Sequence, residues 1–390
     1  MQAIFPDFGC YSFIQYDFSR LKFHKLVSVI RDLPFGRSFF FVILTIHFRT
    51  FLFFTTIYPM LQLKGLAGQG ITQLDLGTTA PGTIGEYWLH LSDNGIGEPV
   101  LLPIVVARGQ HDGPVLGLTA AIHGNELNGI PVIQRLFRTI DVKKLHGTIV
   151  GVLVVNVPGL LKEQRRFNDG TDLNRIAPGK PDGNVSEVYI NRIVERILKK
   201  FDYLIDLHTA SFGRVNSWYI RADMNSEITA WMARLQNPEI ILHNKPNDGT
   251  FRGAASSLGI HAITLELRDP HVFQFEVIED ALQGINNVIY YLNMLKGEII
   301  VCSDPIVLCQ RSYWMHTDEG GILQVIPRVC EEVKKGQLVA EVRSIFGKLN
   351  REYHAPEDGI IIGKSVDPIN PTGSRIIHLG VKMSIVHTEA

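Results

Sequence analysis

From about Leu61 onward, apolar positions come in short blocks that switch between two spacings. PVLLPIVVARG (99–109) reads as a strand, and VLGLTAAI (115–122) as an apolar run of the kind buried on both faces of a sheet. QHDGP between them reads as a turn, in which His111 is a polar turn residue. IPVIQRLFRTI (130–140) then repeats Ile130, Ile133, Leu136 and Phe137 at helical spacing. GTIVGVLVVNVPG (147–159) is a second buried strand, and VSEVYINRIVERILKKF (185–201) an amphipathic helix with Ser186 as its cap. DYLIDLH (202–208) is a strand, SEITAWMARLQ (226–236) a helix, GIHAITLEL (259–267) a strand, and FEVIEDALQGINNVIYYLNML (275–295) a long closing helix.

Strands alternating with helices predict an α/β fold, a mostly parallel mixed sheet with helices on both faces. Past residue 300 the helical spacing disappears. GGILQVIPRV, GQLVAEVRS, HAPEDGIII and SRIIHLGVK, separated by Gly, Pro and Asp, predict a small C-terminal all-β domain. The expected organisation is an apolar N-terminal extension over 1–62, an α/β domain over 63–300 with a β lead-in to about 110, and a β-rich domain over 301–390.

The extension has a different composition. Thirteen of the 21 phenylalanines precede Met60, and SFFFVILTIHFRTFLFFTTIYP carries His47 and Arg49 near its middle. A membrane helix wants about 20 predominantly apolar residues, and a central Arg costs about 2.5–3.5 kcal/mol on insertion scales. Three readings stand: a membrane anchor through residues 39–63, an amphipathic surface element, or a stretch outside the native protein if translation starts at Met60. The third is preferred, which leaves a cytoplasmic protein, with membrane association the less favoured alternative.

Charge and cysteine then narrow the function classes. Lys plus Arg (38) nearly balances Asp plus Glu (39), so no nucleic-acid partner is implied. Cys10, Cys302, Cys309 and Cys330 fit neither a disulfide framework nor a Cys-rich zinc site. The chemistry has to come from His, Asp, Glu and Arg.

Those residues collect where strands end. AAIHGNE places His123 and Glu126 where a strand hands over to a helix, the corner at which sites form in open α/β sheets. LIDLHTA supplies His208 and ITLELRD supplies Glu266. Two His and one Glu with an open fourth position form a catalytic zinc arrangement. Each piece alone also reads blandly: H-x-x-E as a solvated turn with a capping glutamate, a strand-end His as a hydrogen-bonded structural residue. Glu266 lies in an apolar strand, and an unpaired buried carboxylate costs several kcal/mol. It therefore faces a polar pocket or pairs with Arg268 or Arg252. RRFNDGTDLNR (165–175) brings arginine forks and asparagines suited to carboxylates, or a solvated loop with internal ion pairs.

HGNE, DLNR, DLHT and LEL, in that order and spacing, resemble the succinylglutamate desuccinylase/aspartoacylase family, a branch of the zinc carboxypeptidase-like hydrolases. The resemblance covers roughly residues 65–385. It implies one zinc ion per chain on His123, Glu126 and His208, with Glu266 as general base and acid. It implies Asn174 and Arg175 on the substrate carboxylate, and Arg166, or its neighbour Arg165, polarising the scissile carbonyl. Asp206 becomes a candidate support for His208 and Asp172 a brace for the arginines. The implied reaction is hydrolysis of the amide of an N-acylated amino acid or related small carboxylate. A peptide-trimming carboxypeptidase and a non-catalytic metal-containing binding protein are the rivals. A small carboxylate-bearing substrate is the expected partner, and a homo-oligomer is compatible with the sequence.

The tail resembles the flattened β-barrel of biotinyl and lipoyl carrier domains through VKKGQLVAEV and HAPEDGIIIGKSV. The PEDG turn has no lysine to modify, which argues against a carrier role. Glu357 and His354 read as a solvated hairpin tip, and Gly359, Pro371 and Gly373 as turn residues.

Overall fold

The computed structural model describes residues 68–211, 213–245 and 249–388. The readings of residues 1–62 and of the membrane stretch 39–63 fall outside them. No helix among the described residues is long and apolar enough to cross a membrane.

In chain order the first half contains β1 (Gln69–Ile71), β2 (Thr83–Asp93), β3 (Pro99–Arg108), β4 (His111–Ala120), α1 (Gly129–Thr139), β5 (His146–Val152), α2 (Val157–Leu161) and α3 (Val185–Arg196). The centre adds β6 (Tyr203–His208), β7 (Arg214–Asn216), β8 (Trp218–Ala222), α4 (Glu227–Arg234), β9 (Ile240–His243), α5 (Phe251–Ser257), β10 (His261–Leu267) and α6 (Phe275–Tyr291). The C-terminal part is all strand: β11 (Ile306–His316), β12 (Gly321–Val325), β13 (Glu332–Val333), β14 (Leu338–Arg343), β15 (Leu349–His354), β16 (Gly359–Ser365), β17 (Ile369–Asn370) and β18 (Arg375–Val386).

The main sheet is mixed, in the order β1-β2-β3-β5-β4-β6-β10-β8-β9-β11-β18-β16-β13, with β7 attached to β16. Its four central strands, β5, β4, β6 and β10, are parallel. Side-chain alternation sorts the two faces. Leu116, Leu118, Ile205, Leu207, Ile263 and Leu265 pack under α1, α4 and α6. Val150, Val152, Leu204 and Ala262 pack under α3 and α5. Asp206 and His208 on β6, and Thr264 and Glu266 on β10, share the second face, because they keep step with Leu204 and Ala262. The functional side chains therefore continue two apolar rows at the carboxyl ends of the strands.

Several local details differ from expectation. The helix cap is Asn184, whose side chain accepts from the Glu187 amide while Glu187 reaches back to the Asn184 amide. Ser186 sits inside the first turn and donates to Asp169. The 110–114 turn is shorter than expected, since β4 already begins at His111. Strands β8, β9 and β11 and helix α5 have no counterpart in the sequence reading. The C-terminal strands are present but split between two sheets. β11, β13, β16 and β18 extend the main sheet, and β12, β14, β15 and β17 form a second one. Residues such as Val339, Val342, Ile376 and Leu379 fill the core between them. No pairing among the described residues closes these strands into a barrel. The main sheet runs through the boundary expected at residue 300, because β9 pairs in parallel with β11.

Candidate active site

β4 ends at Ala120, and Ala121 turns the chain with a φ of 53°. The next residues form a tight corner in which the Glu126 amide donates to the His123 carbonyl, 3.1 Å. Gly124 is required here by close approach: a Cβ would lie 2.1 Å from the Gly159 carbonyl carbon of α2. Asn128 then ties the corner to the far strand by donating to the Leu267 carbonyl at 2.8 Å. Thus the HGNELN stretch is pinned beside the end of β10.

His123, Glu126 and His208 meet in the interior. Their ligand-type atoms lie within 4.8 Å of one another, and all three side chains are buried. His123 Nδ1 is 2.8 Å from Glu126 Oε1, and His208 Nδ1 is 2.9 Å from Glu126 Oε2. The outer nitrogens are held by carboxylates: His123 Nε2 by Asp172 at 3.1 Å, His208 Nε2 by Asp206 at 2.8 Å. Thr119 on β4 donates to Asp206 in turn, 2.6 Å. Burial by itself would raise the Glu126 carboxyl, but the facing imidazoles override it and hold it well below the usual carboxylate range. Burial would likewise lower the His208 imidazole, and Asp206 and Glu126 instead push it well above its ordinary value.

This donor set fits a divalent metal ion. His123 Nδ1 is buried and, despite its short distance to Glu126, lacks a correctly directed hydrogen bond. Each imidazole has its Nε2 fixed by a carboxylate and its Nδ1 turned toward Glu126. That is the outer support commonly seen around metal-bound histidines, and a His₂Glu set leaves a position open for substrate.

Glu266 pairs across β10 and β6 with His208, and across β10 and β8 with Tyr219. Its partners are Asn216, which donates at 3.2 Å, and Arg221, at 3.4 Å. Of the two readings of Glu266, the polar pocket is the one found, since Glu266 lines the cavity, whereas Arg268 reaches Glu239 and Arg252 donates to the Asn244 carbonyl. β8 runs antiparallel beside β10 and brings Arg221 to the Glu266 face.

In the 165–175 segment the structure brings Arg165, not Arg166, to the cluster. Arg165 donates to Glu126 at 2.9 Å, to Asp172 and to Ser211. Arg166 donates to the Gly170 carbonyl at 2.8 Å and lines the same cavity. Burial would raise the Asp172 carboxyl, but His123 and Arg165 keep it strongly depressed. Asn174 is buried, and its Oδ1 accepts from the Phe251 amide at the start of α5, 2.7 Å. Asn174 and Arg175 both line the cavity, and Arg175 also donates to the Asn174 carbonyl at 2.7 Å.

The cavity these groups surround holds about 760 Å³, room for a small molecule. Sequence reasoning missed part of its lining. Tyr219 and Arg221 carried a signal, since they alternate with Trp218 and Ile220 in a strand pattern. Arg214, Trp314, Arg375 and His378 carried none, because only the pairing of distant strands brings them here. The hairpin residue Glu357 stays outside the cavity lining, held by Arg311 at 2.7 Å and Tyr313 at 3.0 Å.

Residues 112–292 match the succinylglutamate desuccinylase/aspartoacylase catalytic domain. The chain is 24% identical over 278 residues to an N-alpha-acetyl-L-2,4-diaminobutyric acid deacetylase of Halomonas elongata, covering 68% of this chain and 81% of that one. It is 30% identical over 180 residues to a succinylglutamate desuccinylase of Pseudomonas paraeruginosa, covering 43% of this chain and 54% of that one. Among solved structures, the product-bound ectoine utilization protein EutE (DoeB) of Ruegeria pomeroyi superposes with a TM-score of 0.71 at 22% identity, over 79% of this chain and 98% of that one. The succinylglutamate desuccinylase/aspartoacylase of Rhodobacter sphaeroides does so with a TM-score of 0.69 at 21% identity, over 79% and 98%. These superpositions show a shared fold.

Proposed function

The chain belongs to the succinylglutamate desuccinylase/aspartoacylase family, and from that premise we propose that it is a zinc-dependent hydrolase of the amide bond in an N-acylated amino acid. One observation carries the reading: two imidazoles, each braced by a carboxylate, turn their Nδ1 atoms toward one buried glutamate.

His123, Glu126 and His208 would hold the ion. When bound, Zn²⁺ supplies a Lewis acid that polarises an amide carbonyl and makes a neighbouring water more acidic. Glu266 takes a proton from the attacking water and delivers it to the departing amide nitrogen, so that acid and amine leave as separate products. Asn216 and Arg221 donate to its carboxylate and keep it aimed across β6. Asn174 and Arg175 hold the substrate carboxylate and so orient the amide. Arg165, whose guanidinium touches the cluster, takes the carbonyl-polarising role in this proposal, with Arg166 flanking it.

The test is a zinc determination with a hydrolysis screen of N-acetyl, N-succinyl and N-formyl amino acids. One zinc per chain and cleavage in the screen are expected. Glu266→Gln should keep the zinc and lose activity by about 10²- to 10⁴-fold, and Arg165→Met should lower kcat more than Arg166→Met. Protein that binds no zinc and cleaves no amide when zinc is added sinks the reading.

A further inference from the structure

Three places carry the candidate chemistry: the corner from His123 to Glu126, the stretch after His208, and the end of β10 beyond Glu266. One loop, residues 268–274 between β10 and α6, is tied to all three. Its Arg268 carbonyl accepts from the Ala210 amide, two residues past His208, at 2.7 Å. Its His271 amide donates to the Asn125 carbonyl, inside the candidate metal corner, at 3.2 Å. It continues directly from Leu267, the neighbour of Glu266, whose carbonyl accepts from Asn128 at 2.8 Å. Arg268 and His271 hold left-handed backbone, with φ of 57° and 62°. Non-glycine residues stay in that region only where their surroundings over-determine them.

Asn128 and Gln274 lock this loop in place. Asn128 precedes α1 and Gln274 precedes α6, so each stands at the cap position of its helix, yet neither side chain caps it. Asn is among the best capping residues, and here that stabilisation is given up. The two residues bond to each other instead. Asn128 Nδ2 donates to Gln274 Oε1 at 3.2 Å, and the Gln274 backbone amide donates to Asn128 Oδ1 at 3.0 Å. Gln274 Oε1 also accepts from the Asp269 amide at 2.8 Å, and its Nε2 donates to Asp269 Oδ2 at 3.1 Å. Asn128 is fully buried, and neither residue lines the cavity. Any effect on the reaction has to pass through the corners they join.

We propose that Asn128 and Gln274 are positioning residues that set the spacing between the metal corner and Glu266. His123 and Glu126 follow β4, and Glu266 lies on β10, with β6 between the two strands. Pairing fixes β10 along β6 as far as Glu266, but β4 pairs with β6 only as far as Ala120. The corner lies beyond that last pair, so no strand pairing holds it at a set distance from Glu266. The clasp supplies the missing link. Proton transfer by Glu266 needs hydrogen-bond reach, and a misplacement of about 1 Å costs on the order of a hundredfold in rate. The role of Glu266 is taken from the deacylase reading, on which this inference rests; the link itself is a matter of geometry.

The experiment uses the zinc-loaded full chain and the fastest N-acyl amino acid of the screen above. Gln274→Met keeps much of the side chain's bulk and removes its hydrogen bonds. It should lower kcat per zinc-bound chain by about ten- to a hundredfold with KM unchanged, because Asn174 and Arg175 stand on the separate 165–175 segment. Asn128→Ala should show the same split, and the double variant should be no slower than Asn128→Ala alone. A merely structural role would lower Tm and the zinc-bound fraction and leave kcat per zinc-bound chain as it was. That result, or losses that simply add in the double variant, overturns the clasp while the deacylase reading stands. A second readout needs no cleavage. In the Co²⁺-loaded chain, Gln274→Met should shift the pH midpoint of the visible absorption in the same direction as Glu266→Gln does. If the zinc-loaded chain cleaves no amide, the deacylase reading falls and this shift decides: its presence keeps the clasp, and its absence sinks the clasp as well.

Discussion

At the scale of single residues, the site depends on where each imidazole's second nitrogen goes. His208 and Asp206 are two apart on β6 and so point to the same side of the sheet. Their 2.8 Å contact leaves Nδ1 as the nitrogen that faces Glu126. Outer carboxylates of this kind fix the ring orientation and raise its basicity. Asp206→Asn should therefore weaken zinc affinity by about 10- to 100-fold, measured by competition with a coloured chelator. Thr119→Val, which removes only the 2.6 Å hydrogen bond to Asp206, should have a smaller effect in the same direction. Affinities unchanged in both variants would show that Asp206 does not orient the ligand.

At the scale of elements, the motif residues are delivered by ends and corners whose local chemistry can be tested separately. The Asn184–Glu187 capping box starts α3, which buries Tyr189, Ile190, Ile193 and Val194 against the face that carries the site. Removing an Asn cap costs about 0.5–2 kcal/mol. Asn184→Ala should thus lower Tm by a few degrees with KM and kcat unchanged, since no atom of Asn184 lines the cavity. A shift in kcat would mean that α3 positions the site more directly than its contacts indicate. Much at this scale was legible beforehand. The runs ending in His208 and Glu266, and the corner with His123 and Glu126, follow from period-2 and period-3.6 patterns. The cap was misread because Ser186 and Asn184 are both good cap residues, and only the backbone turn decides between them. β8 was missed because its alternation lasts only five residues.

At the scale of the whole molecule, the C-terminal strands complete the cavity as well as follow the α/β part. β16 pairs with β7 and β9 with β11, and Tyr219, Ile240, Leu242, Cys309, Ile360 and Ile362 share one apolar cluster across those joints. A metal held in the folded interior binds the native chain and not the unfolded one, so it stabilises by mass action: about 4 kcal/mol when free zinc is a thousandfold above Kd. Stripping the metal with a chelator should therefore lower Tm, and returning zinc should raise it with zinc concentration. In the Asp206→Asn variant the same shift should require more zinc. A Tm indifferent to chelator and zinc would be incompatible with an ion at His123, Glu126 and His208.

What the chain determined by itself is the alternation of strands and helices and the placing of His123, Glu126, His208 and Glu266 at strand ends. Those are local consequences of side-chain period and turn chemistry, and they are readable without knowing any neighbour. What only the tertiary structure decided is which groups share the cavity. Sheet order set Arg221 rather than Arg268 or Arg252 beside Glu266, and chain direction in an irregular segment turned Arg165 rather than Arg166 to the cluster. The pairing of β11 with β18 brought Trp314, Arg375 and His378 to a site whose candidate ligands and base lie between residues 123 and 266. Register between strands is fixed by the packing of both faces at once, and no stretch of sequence contains that information alone.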